Sequence, residues 1–223
     1  MADNQGKAGM TECYLCTERR GCVEDYVYLQ TEKTGTRIVC KRCVDTLQKL
    51  RSSIKGNLKK MNITIYGGAG FIGSNIVNTL KGHDWHCVDD LSLGDYGNIR
   101  NPKAAQMLGD ISDPVVVDST ITPHTDAVVM VHGLSSNPMF YPDPRRGVVC
   151  FLHGFLNVMD ACRRRDVNKV IFASTSSLYG EVPAERQNEG AALPYVNFYA
   201  TTRRCAEHFA EAYAKDYGIN SCA

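Results

Sequence analysis

The 223-residue sequence predicts an α/β protein, a doubly wound parallel sheet with a small cysteine-rich module in front of it. Three observations carry that reading. From Met61 onward, strand-like and helix-like segments alternate. The stretch "YGGAGFIGSN", Tyr66 to Asn75, sets three glycines between a strand-like run and a helical one. Half of the ten cysteines fall within the first 43 residues.

Cys13 and Cys16 form one C-x-x-C, and Cys40 and Cys43 a second after 23 intervening residues. Between them "YVYLQ" and "TRIVC" are strand-like, joined by "TEKTG" as a turn. Beyond Cys40, Val44, Leu47, Leu50 and Ile54 recur at helical spacing. Knuckle, hairpin and a helix opening on the second pair resemble a treble-clef zinc finger. Four thiolates suit a closed tetrahedral Zn²⁺ site, whose chemistry is structural because no position stays open. So short a segment builds little core, and metal is the natural source of its stability. The alternative is a set of reduced, unliganded cysteines, and Cys22 could replace one ligand or stay a free thiol.

Residues 1–50 are thus expected to form a four-cysteine zinc-binding module and residues 51–60, "RSSIKGNLKK", a basic linker. Residues 1–60 carry 12 Lys/Arg against 7 Asp/Glu, whereas the remainder is mildly acidic, which also suggests two units. That excess is weak evidence for nucleic acid; a finger of this kind would dock protein or nucleic acid or cap a neighbouring domain. "MADNQGKAGMTE" lacks the basic-then-apolar pattern of a secretory signal, and no apolar run is long enough for a bilayer. The expected setting is cytoplasmic, without membrane. "MNITIYGGAGFIG" reads like the start of a separate protein, so a gene fusion at Met61 is expected.

In the body, "NITIY" is a short apolar strand, and "FIGSNIVNTLKG" a helix ended by Gly82. "DWHCVDD" is a second strand closing on acids; "DAVVMVHG" and "KVIFASTSS" are further β-rich runs around the helical "GVVCFLHGFLNVMDACRRR". The glycines sit where a Rossmann-type fold needs them. Gly67 permits the strand-to-helix turn, Gly70 lets backbone approach a pyrophosphate, and Gly73 allows helix and strand to pack closely. The positive helix N-terminus then faces the phosphates. Asp89, sixteen residues after Gly73 at a strand end, could accept both ribose hydroxyls of NAD and would repel the extra phosphate of NADP.

"GGAGFIGSNIV", "VDDLSLG", "GDISDP", "FASTSSLYGEVP" and "YATTRRCAEHFAEAYAKDYG" occur in that order. They resemble the extended short-chain dehydrogenase/reductases, with nucleotide-sugar epimerases and dehydratases the nearest relatives. The resemblance covers residues 61–223 and implies an NAD-binding domain acting on a nucleotide-sugar. Gly67, Gly70 and Gly73, with the backbone of Phe71 and Ile72, would hold the pyrophosphate. Asp89 and Asp90 would lie at the adenosine ribose, Asp110 and Ile111 at the adenine. Thr175 falls on the family's catalytic Ser/Thr. Tyr199 falls on its catalytic tyrosine, which exchanges a proton with a sugar hydroxyl while hydride passes to NAD. Glu207 matches a common acidic position on the same helix.

The chemistry is consistent with these roles. A phenol is a poor base at neutral pH and needs a nearby cation, which position i+4 places on the tyrosine's own helix face. Here that cation is Arg203, where the family carries lysine, and arginine is bulkier and forked. Phe151 stands where the family usually carries an asparagine, and Tyr66 where it has threonine. "DYGINSCA" ends inside the expected sixth strand, so a C-terminal substrate domain is expected to be missing and a complementing subunit or homo-oligomer to cover the edge. Ser176 and Ser177 replace the Asp-Glu pair of many dehydratases, favouring epimerisation. The competing reading is a zinc-finger binding protein with a degenerate, inactive NAD scaffold.

Overall fold

The computed structural model describes residues 11–12, 19–20, 26–31, 35–40, 59–180 and 197–223. Met1–Lys59 and Lys60–Ala223 form separate compact units. In the first, β1 (Thr11–Glu12) and β2 (Arg19–Arg20) pair antiparallel. So do β3 (Tyr26–Thr31) and β4 (Gly35–Cys40), with Tyr26 opposite Cys40, in the hairpin that the sequence predicts. Cys13, Cys16 and Cys43, and the side chain of Cys40, lie outside the described residues. Among the described residues no three His, Cys, Asp or Glu side chains gather as a metal site. Nor is any helix among them long and apolar enough to cross a membrane.

The second unit is built on six parallel strands: β5 (Asn62–Tyr66), β6 (Asp84–Asp89), β7 (Ala105–Leu108), β8 (Ala127–Met130), β9 (Lys169–Phe172) and β10 (Asn220–Cys222). Their spatial order is β10-β9-β8-β5-β6-β7. The order reverses between β5 and β8, the switch point at which open α/β sheets form their ligand crevice. Crossover helices are α1 (Phe71–Thr79), α2 (Pro114–Thr120), α3 (Pro144–Val148), α4 (Gly154–Arg165) and α5 (Phe198–Tyr217).

The central strands are apolar on both sides because both faces are covered. Ile63, Ile65, Trp85, Cys87, Ala127 and Val129 point to one layer with Val77 of α1. Their alternates Tyr66, Val88, Val128 and Met130 point to the other, against Phe155, Val158 and Met159 of α4 and Ala206 of α5. Tyr66 therefore does more than replace a threonine. It is buried, and its hydroxyl shares a 2.5 Å hydrogen bond with Thr120 Oγ1 at the end of α2. Helix ends follow local chemistry: Asp113 caps α2 ahead of Pro114, Asn197 caps α5, and Gly218 closes α5 in the left-handed region.

Two expectations are corrected. Helix α1 stops at Thr79 rather than running to Gly82, because the Leu80 carbonyl leaves the helix to accept the Trp85 indole N–H at 2.9 Å. The helix expected over residues 147–165 is interrupted: a π-turn, Val149–His153, separates α3 from α4, with Phe151 at its centre.

Candidate active site

A cleft with a cavity volume of about 90 Å³ opens at the C-terminal ends of β5, β6 and β8. Its walls include Gly67, Gly70, Asp89, Asp90, Asp110 and Ile111, six of the nine residues expected at a cofactor. Gly67 has φ +79°, and a Cβ there would sit 2.8 Å from the His132 backbone. A Cβ at Gly73 would collide with the Gly67 carbonyl oxygen and approach Gly68 Cα to 2.8 Å. At Gly70 the same atom would meet only the Gly67 oxygen, at 3.4 Å, within 4 Å. Gly67 and Gly73 thus shape the turn, while Gly70 leaves room at the cleft wall.

Gly70 is also the N-cap of α1, and no side chain caps that helix. Phe71 and Ile72 begin it with exposed side chains, 85% and 54%, so backbone N–H is what they offer. An uncapped nine-residue helix whose N-cap, Gly70, lines the cleft suits a diphosphate.

Asp89 is buried, and its two oxygens are already engaged. Oδ2 accepts the Ala69 N–H of the glycine turn at 2.9 Å, and Oδ1 accepts the Leu91 N–H at 2.9 Å. Leu91 has φ +59°, a left-handed backbone that this bond holds. The carboxylate therefore pins the loop, and each oxygen keeps one lone pair for a hydroxyl. Asp90 Oδ1 accepts from Ser92 N and Oγ, and Asp110 Oδ1 from Ser112 N. These residues fit a dinucleotide: a tight glycine cradle, an uncapped helix and three carboxylates along one cleft.

The expected catalytic residues lie beyond those walls. Thr175 caps the short 3₁₀ turn Ser176–Tyr179, its hydroxyl accepting the Ser177 N–H at 3.1 Å. Tyr199 is buried in the first turn of α5, edge-on to Phe140 at 5.9 Å. Arg203 is brought to Tyr199, its guanidinium carbon 5.3 Å from the ring centroid. Two of its N–H groups are spent on backbone carbonyls. Nη1 donates to Ala173 O at 2.9 Å and Nη2 to Leu134 O at 3.1 Å, and the guanidinium lies 3.6 Å over the Phe151 ring. Burial lowers its pKa, and Tyr199 opposes that shift. Arg203 and Phe151, two separate departures in the sequence, are one contact in the structure. Glu207 accepts from Ser174 Oγ at 2.5 Å and pairs with Arg204 at 2.7 Å, tying α5 to the segment after β9.

Sequence reasoning missed His132, although "HGLSSN" follows a strand that points at the cleft. Its ring stacks on Phe151 at 5.0 Å, and its Nε2 donates to Phe151 O at 3.2 Å. Nδ1 is then an acceptor without a partner among the described residues. Burial pushes the imidazole down to about 4. Above about pH 6.5 the ring is neutral folded or unfolded; between 6.5 and about 4 only the unfolded chain takes the proton. Stability should therefore fall with pH across that window, by up to about 3 kcal/mol. His86, also lowered by burial, acts in the same direction. Thermal unfolding scans against pH check this, and His132→Gln should flatten much of the slope.

Known proteins place this geometry. Residues 63–223 match the NAD dependent epimerase/dehydratase family. A UDP-glucose 4-epimerase of Azospirillum brasilense is 28% identical over 163 residues, 71% of this chain and 46% of its own length. The UDP-glucose 4-epimerase of Brucella ovis, solved in complex with NAD, superposes with a TM-score of 0.67 at 30% identity, covering 72% of this chain and 50% of that one. The UDP-N-acetylglucosamine 4-epimerase of Methanobrevibacter ruminantium M1, in complex with UDP-N-acetylmuramic acid, gives a TM-score of 0.69 at 27% identity, with coverage of 74% and 54%. The chain spans about half the length of the curated relatives it matches. From its glycine turn to its sixth strand, the chain belongs to the NAD dependent epimerase/dehydratase family.

Proposed function

We propose that Lys60–Ala223 binds NAD and serves epimerisation or dehydration of a nucleotide-sugar. The observation that carries this is the uncapped N-terminus of α1 beside a glycine turn that admits no side chain at Gly73. The diphosphate would lie on the N–H groups of Phe71 and Ile72. Asp89 and Asp90 would take adenosine ribose hydroxyls on their remaining lone pairs, and Asp110 with Ile111 would border the adenine. Bound NAD would accept a hydride from a sugar carbon and return it. Tyr199 would exchange the proton of the sugar hydroxyl, Thr175 would donate to the same oxygen, and Arg203, its guanidinium carbon 5.3 Å from the Tyr199 ring centroid, would offset the phenolate charge.

The test is chromatographic: UDP-glucose and NAD with the full chain, scored for UDP-galactose, against Tyr199→Phe. Product that disappears in Tyr199→Phe supports the catalytic reading. NAD binding without product supports the second reading, an NAD-binding unit without turnover. The inward commitment of Arg203 favours that second reading. For the head of the chain we propose Zn²⁺ held by Cys13, Cys16, Cys40 and Cys43, resting on their spacing. Elemental analysis of folded, unchelated protein should find about one zinc per chain; metal-free folded protein contradicts it.

A further inference from the structure

We infer that Phe151 is a positioning residue for Tyr199, acting through Arg203: its ring is the platform that holds the guanidinium beside the phenol. This rests on the proposed role of Tyr199 and extends it to a fully buried residue.

Phe151 stands at the centre of the π-turn Val149–His153, a rare break in helical winding. Two planar groups lie against its ring. The His132 imidazole stacks on it at 5.0 Å between centroids and 24° between planes, and the Arg203 guanidinium carbon sits 3.6 Å from the Phe151 centroid. His132 Nε2, donating to Phe151 O at 3.2 Å, fastens the imidazole to the same turn. The space at Gly133 is filled as well, since a Cβ there would stand 3.3 Å from the Phe151 ring. Close packing gives the ring a fixed place, and with it any group that rests on its face.

From that face Arg203 joins three segments. Nη1 donates to Ala173 O at 2.9 Å, two residues before Thr175. Nη2 donates to Leu134 O at 3.1 Å, at the cleft wall. The guanidinium also hydrogen-bonds Tyr199, whose ring centroid lies 5.3 Å from its carbon. One side chain thereby holds the cleft wall, the segment leading to Thr175 and the tyrosine's helix in register. Arg203 is 4% exposed, and these partners are all uncharged as drawn, so the aromatic face helps to offset the water it has lost. Leucine at 151 would fill much of the same space without the negative face of a π-system. Nothing on that side would then orient the guanidinium plane, and the donor to Tyr199 would lose its direction.

NMR of the full chain, labelled with ¹³C at tyrosine Cζ, tests this at a fixed neutral pH. Tyr199→Phe identifies the Tyr199 signal among the eleven tyrosines. Arg203→Met removes the guanidinium and sets the full displacement of that signal. Phe151→Leu should move it at least about half as far with Arg203 still present, and the double variant no further than Arg203→Met alone. Lost stability by itself leaves the phenol signal of folded protein in place. A folded Phe151→Leu with the wild-type Tyr199 signal therefore overturns the inference, and so does a double variant whose displacement is the sum of the two. The wild type supplies a reading that needs no change at 151: the Phe151 ring current should shift the Arg203 guanidinium protons upfield, and unshifted protons overturn the platform. Where the wild type converts UDP-glucose, Phe151→Leu should lower kcat about tenfold with KM unchanged; an unchanged kcat overturns the inference. A displaced Tyr199 signal without any wild-type conversion supports the positioning and contradicts only the catalytic reading.

Discussion

Gly73→Ala should abolish measurable dinucleotide binding, weakening it at least about a hundredfold, and should lower stability by about 2–3 kcal/mol. The reason is steric and local. The added Cβ has no free volume: it meets the Gly67 carbonyl oxygen and stands 2.8 Å from Gly68 Cα, both backbone atoms that no rotamer change can move. Relief requires sliding α1 away from the turn. That displaces the N–H groups of Phe71 and Ile72 from the proposed diphosphate position together with the packing of Val77 against Ile65 and Trp85. Gly82→Ala is the matched control. Nothing lies within 4 Å of a Cβ there, so binding should stay unchanged and stability within about 0.5 kcal/mol. Equal losses at both positions would mean that the close approach at Gly73 does not matter.

Asp89→Ala carries the second large effect. Its carboxylate is the shared acceptor for two segments, Ala69 in the glycine turn and Leu91 in the left-handed corner after β6. Removing it leaves a buried Ala69 N–H without its acceptor and unties Leu91, at an expected cost of about 2–4 kcal/mol. NAD binding should fall at least about a hundredfold, because the loop and the proposed ribose acceptor are lost together. Asp89→Asn separates the two contributions. Its carbonyl can still accept one of the two N–H groups, whereas its amide faces the other donor to donor. Chemical denaturation should place it between wild type and Asp89→Ala. Wild-type stability in both variants would contradict the pinning role.

Much of this was legible because the signals are local. "NITIY" and "DWHCVD" are strands since apolar residues crowd both faces, and the glycine turn announces itself by spacing. The residues expected at a cofactor could be singled out because each sits within a few positions of a strand end. What stayed hidden depends on contacts distant in sequence. Strand β7 is an edge whose Ala105, Gln106 and Leu108 are exposed, so it carries no burial pattern to read. The π-turn at Val149–His153 is a backbone over-winding that apolar periodicity does not register. Arg203 was correctly placed beside Tyr199 by the four-residue helical step, but its partners Leu134 and Ala173 lie 69 and 30 positions away. Only the folded chain shows that Phe151, His132 and Arg203 form one stack.

The most direct test of the central claim is NADH binding to the 223-residue chain, read by energy transfer from its single tryptophan. Trp85 is buried on β6, four residues before Asp89, which places it about 13 Å along the strand from the cleft wall. Its emission should therefore report an occupied site. Saturable quenching with matching NADH emission is expected in the wild-type chain and none in Gly73→Ala. Folded wild-type protein that shows no transfer at millimolar NADH would contradict it.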